Sequence, residues 1–264
     1  MSNNYEKDSH INIIASVKGD RTILEDSYFT APFKTIRPFY DEQYNIMKLC
    51  LMNVSPGILE GDKYFLNFQI KEGSRLHIYS QSYSKIFKMK EGSAYQKLKV
   101  SLEKNSRFEY FLMPTIPFNG SNYFSEADIH LESGSELLYR EILSCGRYMS
   151  GERFDFNIYS SKTKLYYDGK LIFFDNTLLE PKKQNLDEIG YYEGYTHQAN
   201  VYIINNKIDE EFRDKLVEYL QSQEGIIAGA SINHEKMITI RILGNSSDKL
   251  AKITDRIRKI DLER

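Results

Sequence analysis

Oxygen- and nitrogen-bearing side chains recur at the ends of apolar stretches in this chain, and they bound the chemistry it could do. Asp62 closes the run Ser55-Pro56-Gly57-Ile58-Leu59-Glu60-Gly61-Asp62, where a proline and two glycines demand unusual backbone geometry. It either bonds its own turn or presents a carboxylate to a cavity. Lys85 follows five hydroxyl or amide side chains, Ser80 through Ser84, and is either solvated or paired with a carboxylate from a neighbouring strand. Glu141 has the parity of Leu137 and Tyr139 and should share their buried face, where a carboxylate needs a partner. Arg147 and Lys85 are its nearest candidates. Gly146-Arg147-Tyr148-Met149-Ser150-Gly151-Glu152 holds an Arg and a Glu that could pin a loop as an ion pair. Asp175 ends Leu171-Ile172-Phe173-Phe174 and alone reads as a turn former.

Other chemistries lack their residues. The five histidines, His10, His77, His130, His197 and His234, are scattered, and no His-x-x-x-His, Cys-x-x-Cys or Glu-x-x-His occurs, so a tight metal site is not expected. There is no Gly-x-Ser-x-Gly elbow. The Ser55–Asp62 turn is no phosphate loop, for it lacks the Lys-Ser/Thr pair. The 264 residues carry a formal net charge of -2, which argues against a nucleic-acid binder and a polybasic membrane patch. No apolar run approaches the ~20 residues of a membrane span. Met1 to His10 is polar without a secretory apolar core, and Cys50 and Cys145 sit in apolar strand-like settings that suit buried free thiols. The cytoplasm is the expected compartment. The 20 Tyr and 15 Phe suit sheet packing and partner surfaces.

The elements that must position these residues repeat. Leu66–Leu76, Leu98–Phe108 and Ala127–Leu137 each read as an alternating strand, a Gly-Ser or Asn-Ser turn, and a second strand. Their turns, at Gly73, Asn105 and Gly134, recur 32 and 29 residues apart. That spacing predicts a mainly β fold, a stacked, solenoid-like body. Ile46–Asn53 reads as a strand buried on both faces, Phe154–Tyr167 continues the period of two, and Asp168-Gly169 marks a hairpin. Lys182–Gly194 is the expected long loop. Ile208–Gln221 and Ser247–Leu262 have helical apolar spacing, the second capped by Ser246 or Ser247, and they bracket a strand pair. One domain is expected: a β-rich body over about 10–205 and a small α+β portion with about two helices over about 206–264.

In order, these segments resemble the urease accessory protein family UreD, called UreH in some bacteria. The matching run is Arg37-Pro38-Phe39-Tyr40, Val54-Ser55-Pro56-Gly57 with Gly61-Asp62, Ser80-Gln81-Ser82 with Ser84-Lys85, Pro114 with Ile116-Pro117-Phe118, and Gly146-Arg147 with Gly151-Glu152. Asp168-Gly169-Lys170, Leu179-Glu180-Pro181 and Gly194-Tyr195-Thr196-His197 extend it over nearly the whole chain, closest to the UreH subgroup. The family's Pro-Pro-Gly-Gly motif stands here as Ser55-Pro56-Gly57-Ile58. The resemblance implies a non-enzymatic scaffold that binds apo-urease and the accessory protein UreF, and through UreF the nickel-carrying GTPase UreG. It also implies an internal water-filled tunnel conducting nickel, with no tightly bound cofactor. The tunnel positions fall on Asp62, Ser84, Lys85, Glu141 and Asp175, where Glu141 and Asp175 replace Asp and Glu of some relatives. Two other readings stay open from the residues themselves: a carbohydrate-active β-solenoid using stacked carboxylates, and an adaptor through which no metal passes.

Overall fold

The computed structural model describes residues 8–234 and 236–264. Residues 1–7, part of the polar N-terminal segment noted above, lie outside the described residues. The chain opens with β1 (Ser9–Lys18), β2 (Arg21–Phe29), β3 (Phe33–Thr35), β4 (Phe39–Asp41) and β5 (Ile46–Asn53). The repeats follow as β6 (Lys63–Ile70), β7 (Arg75–Tyr79), β8 (Ser84–Ile86), β9 (Ala94–Leu102), β10 (Arg107–Phe111), β11 (Thr115–Pro117), β12 (Asn122–Leu131) and β13 (Glu136–Ser144). Then come β14 (Ile158–Tyr167), β15 (Lys170–Leu179), β16 (His197–Ile204), α1 (Glu210–Gln221), β17 (Ile226–His234), β18 (Met237–Gly244) and α2 (Ser247–Leu262).

The three repeats stack in register. Leu66, Leu98 and Ala127 stand side by side on β6, β9 and β12, and Leu76, Phe108 and Leu137 do so on β7, β10 and β13, all in parallel pairing. The turn between each pair of arms needs a positive φ, supplied by Gly73 (70°), Asn105 (57°) and Gly134 (79°), residue types that enter the left-handed region at least cost. Short third arms also stack: Ser84 of β8 pairs with Thr115 of β11, which pairs with Leu143 at the end of β13.

The coils thus form two facing sheets. One has seven strands in the order β15-β14-β12-β9-β6-β1-β2; the other has eleven, with the path β17-β18-β16-β13-β10-β7-β5-β3. Between them lies one apolar core containing Ile13, Phe68, Ile78, Val100, Phe108 and Ile129. A second core forms where α1 and α2 cover the outer face of the larger sheet through Phe212, Leu216, Leu220, Leu250, Ile253 and Ile257. Each such side chain contributes about 1.5–3 kcal/mol on burial. Asp209 caps α1 by accepting from Phe212 N at 2.8 Å, and Ser246 caps α2 by accepting from Lys249 N at 3.3 Å. β16 and β18 are hydrogen-bonded into the same sheet as β13, so the C-terminal strands extend the stack. Both cysteines are buried and free.

Two local expectations are corrected. The strand expected from Phe154 begins only at Ile158, because Phe154 takes a positive φ of 53° that breaks the pleat. Asp175 is no turn residue: β15 continues to Leu179, and Asp175 lies mid-strand opposite Thr163.

Candidate functional site

The Ser55–Asp62 turn and the Ser80–Lys85 segment meet at one end of the stack. Ile58 N donates to Lys85 O at 2.7 Å, and Phe87 N donates to Ile58 O at 2.9 Å. Gly57 is required at this crossing, since a Cβ there would lie 2.4 Å from the Phe87 ring and 2.6 Å from Lys85 O. Ser55 Oγ closes the turn by donating to Gly57 O at 2.6 Å. Together they wall a cavity of about 450 Å³, lined also by Asn53, Tyr64, Ser84 and Gln96. Asp62 stands behind this wall. Its Oδ2 accepts from Leu59 N at 2.7 Å and from the Tyr64 hydroxyl at 2.8 Å, so it holds the turn and a wall tyrosine together. Lys85 is exposed at the mouth beside Ile116 of the next arm. It makes no ion pair among the described residues, so of its two readings the solvated one holds; the stacked position, Ile116, is apolar.

From this cavity a line of polar side chains crosses the core. Tyr64, Gln96, Ser125, Ser161 and Thr177 occupy one register line over β6, β9, β12, β14 and β15. Each has the parity of core residues on its own strand. Four strand spacings of about 4.8 Å give the file a length of about 19 Å. The opposite sheet adds a row of tyrosines, Tyr110, Tyr139 and Tyr202, with ring centroids 5.4 and 5.9 Å apart along the row. Burial pushes the phenols of Tyr139 and Tyr202 well above their usual range, which keeps them as neutral donors.

At the far end stands Glu141. Its Oε1 accepts from the Tyr139 hydroxyl at 2.7 Å, and Ser161 Oγ lies 3.5 Å from both carboxyl oxygens. Neither Arg147 nor Lys85 reaches it, contrary to expectation: Arg147 is taken by Glu152, and Lys85 lies at the mouth of the other cavity. Burial pushes the Glu141 carboxyl above the usual range. Glu141 lines a small cavity of about 10 Å³ with Tyr159, Ser161, Thr177, Gln198 and Asn200, room for about one water. Asp175 belongs to the same end but is neutralised: its Oδ2 accepts from the Tyr202 hydroxyl at 2.5 Å and from Arg241 Nη2 at 2.8 Å.

The Gly146–Glu152 segment is a clamp outside the file. Arg147 Nε donates to Glu152 Oε2 at 2.9 Å, Arg147 Nη2 donates to Glu152 Oε1, and the guanidinium lies 4.3 Å from the Phe118 ring centroid. Arg147 thereby holds the Glu152 carboxyl below its usual range. Gly146 (φ 133°) is wedged between the carbonyls of Glu152 and Pro117, and Gly151 (φ 83°) ends the Tyr148–Ser150 turn. This is the loop-pinning ion pair expected from the residues.

The structure therefore brings Ser55, Pro56, Gly57, Ser84 and Lys85 to one cavity, with Asp62 supporting its wall, and Glu141 to another, with Asp175 beside it. The connecting residues Gln96, Ser125, Ser161 and Thr177, with Gln198, Asn200 and Arg241, are absent from the sequence-based candidates. A signal existed: Tyr64, Gln96 and Ser125 each stand two residues before the aligned positions Leu66, Leu98 and Ala127. The donor set is almost wholly oxygen, and no cluster of three or more His, Cys, Asp or Glu that could hold a metal occurs among the described residues.

A model of the UreD urease accessory protein family matches residues 7–263. The urease accessory protein UreD of Acetivibrio thermocellus is 43% identical over 260 residues, covering 98% of this chain and 99% of that protein. The UreD of Flavobacterium johnsoniae is 36% identical, covering 94% of this chain and 90% of its own. The urease accessory protein UreH of Helicobacter pylori is 30% identical, covering 98% and 96%.

Proposed function

Because this chain belongs to the UreD family of urease accessory proteins, we propose that it matures urease as a non-catalytic scaffold that conducts nickel along its interior polar file. In this reading it binds apo-urease and UreF, recruits UreG through UreF, and passes the ion between the 450 Å³ cavity and the Glu141 end. The observation that carries the reading is the register line Tyr64, Gln96, Ser125, Ser161 and Thr177, polar at five adjacent strands on the core-facing parity, with Tyr64 and Ser161 buried and the other three half-buried. Polar groups facing a core need partners; Tyr64 finds Asp62, Ser125 the Ser160 carbonyl and Ser161 the Glu141 carboxyl, and an ion in transit would draw on the same oxygens. Hydroxyl and amide oxygens with one carboxylate free of a cationic partner bind a divalent ion weakly, which suits passage better than storage. Nickel is cargo here, and no resident cofactor is invoked. The cytoplasm is the compartment where these partners would meet, and no described helix is long and apolar enough to cross a membrane.

The test is Ser161→Leu, which puts an apolar side chain into the file at a buried position. Co-purification with UreF, UreG and apo-urease should persist while the nickel content and activity of urease fall. Full nickel loading by the variant would overturn conduction and leave the adaptor. One observation favours that second reading: the cavities at the two ends are separate, and the one at Glu141 holds about 10 Å³. The carbohydrate reading finds no paired carboxylates in a cavity of sugar size: the 450 Å³ cavity has none in its lining, the 490 Å³ depression beside Pro181 has only Asp187, which pairs with Arg153, and the cavity beside Glu141 is too small for a sugar.

A further inference from the structure

Arg241 stands on the same rung as Glu141. Glu141 of β13, Asn200 of β16 and Arg241 of β18 lie on one register line. Two strand spacings of about 4.8 Å separate the first from the last. Asp175 meets Arg241 from the opposite sheet, at 2.8 Å. The Asp175 side chain is 12% accessible and that of Arg241 is 49% accessible, so the guanidinium covers the carboxylate on its solvent side. The position is the lateral rim of the stack: β15 is the edge strand of its sheet, and only β17 lies beyond β18.

We propose that Arg241 is a cationic latch that occupies Asp175 and withholds its carboxylate from a cation in the file until the guanidinium swings into solvent. The proposal rests on the reading that a divalent cation travels the file. A carboxylate paired with arginine offers its charge to a metal ion only after the arginine leaves. Its half exposure lets it leave without unfolding anything. The alternative role, a tie between the sheets, would be worth little for a pair this exposed and would not alter metal affinity.

The experiment is calorimetric titration of the full chain with nickel chloride at pH 7, with circular dichroism confirming the fold of each variant. Arg241→Gln should bind one nickel ion at least about tenfold more tightly than the parent chain. Arg241→Lys, which keeps a charge, should bind as the parent does, and Arg241→Gln with Asp175→Asn should lose the gain. Should Arg241→Gln unfold, Arg241→Ala repeats the measurement. Parent-like affinity in the charge-removed variant, a gain that survives Asp175→Asn, or Arg241→Lys binding like Arg241→Gln would each overturn the latch. The titration uses the isolated chain, so its failure leaves the Ser161→Leu loading test standing, and failure of conduction leaves the masking of Asp175 measurable.

Discussion

Arg107 and Asp261 meet at 2.6 Å although 154 positions separate them, one on the central strand β10 and the other in the last turn of α2. Both are buried, and Arg107 also donates to Glu109 and Glu136, each at 2.8 Å. Arg258 of α2 reaches Glu109 at 2.5 Å, and Asn205 reaches Asp261 at 2.8 Å. Burial alone would raise the Glu109 carboxyl, but Arg107, His77 and Arg258 hold it well below its usual range. The network ties α2 to the stack. Arg107→Ala should therefore cost about 3–5 kcal/mol, because it leaves the buried Asp261 carboxylate without its cation and takes from Glu109 one of its two guanidinium partners. Asp261→Asn should cost less, since burial raises the Asp261 carboxyl and the amide keeps the shape. Urea unfolding of the two variants checks the order; equal costs would mean that charge is not what α2 depends on.

Glu141→Gln separates function from stability. The parent carboxyl is destabilised as an anion by burial and has no cationic partner, so the neutral amide should leave the melting temperature unchanged or raised. Nickel loading of urease should fall at the same time. A lower melting temperature with intact loading would make Glu141 a structural residue.

Gly57→Ala should disturb the cavity wall. The added methyl would lie 2.4 Å from the Phe87 ring, which can move, and 2.6 Å from Lys85 O, which is backbone. A loss of about 1–3 kcal/mol is expected. Adding Phe87→Ala should not restore stability, because the clash with the Lys85 carbonyl remains; a full rescue in thermal melts would show that the ring alone sets the requirement for glycine.

Stability should fall on mild acidification. His197 is buried, its Nδ1 bonded to Thr196 Oγ1 at 2.8 Å, and burial pushes its imidazole from 6.5 down to about 4. Between those values the unfolded chain binds a proton that the folded chain refuses, so stability drops as pH falls through this window, by on the order of 3 kcal/mol in full. Burial lowers His77 in the same direction. The depressed Glu109 carboxyl adds a further loss below the ordinary carboxylate range, where the unfolded state protonates first. Melting temperatures from pH 8 to pH 5 should decline, and His197→Gln should flatten the decline; an unchanged slope would mean His197 is charged in the fold.

What the sequence by itself determined is the coil. Alternation within Leu66–Leu76, Leu98–Phe108 and Ala127–Leu137, with Gly73, Asn105 and Gly134 at the turns, is local information, because strand parity and left-handed turns depend on near neighbours. The helical periods of α1 and α2 were legible for the same reason. Glu141 could be placed on the core face beside Tyr139 from parity, but its approach to Ser161 could not, since Ser161 comes from the opposite sheet. Asp175 was misread because nothing local separates an aspartate ending a strand from one inside it. Only the tertiary structure decided the file. Tyr64, Gln96, Ser125, Ser161 and Thr177 become neighbours through inter-strand register, and Arg241 reaches Asp175 only because two sheets face each other at their rims. Local propensity specifies each strand and turn; which side chains share a rung depends on hydrogen-bond register between segments some thirty residues apart, and that register is set when the apolar faces close on each other.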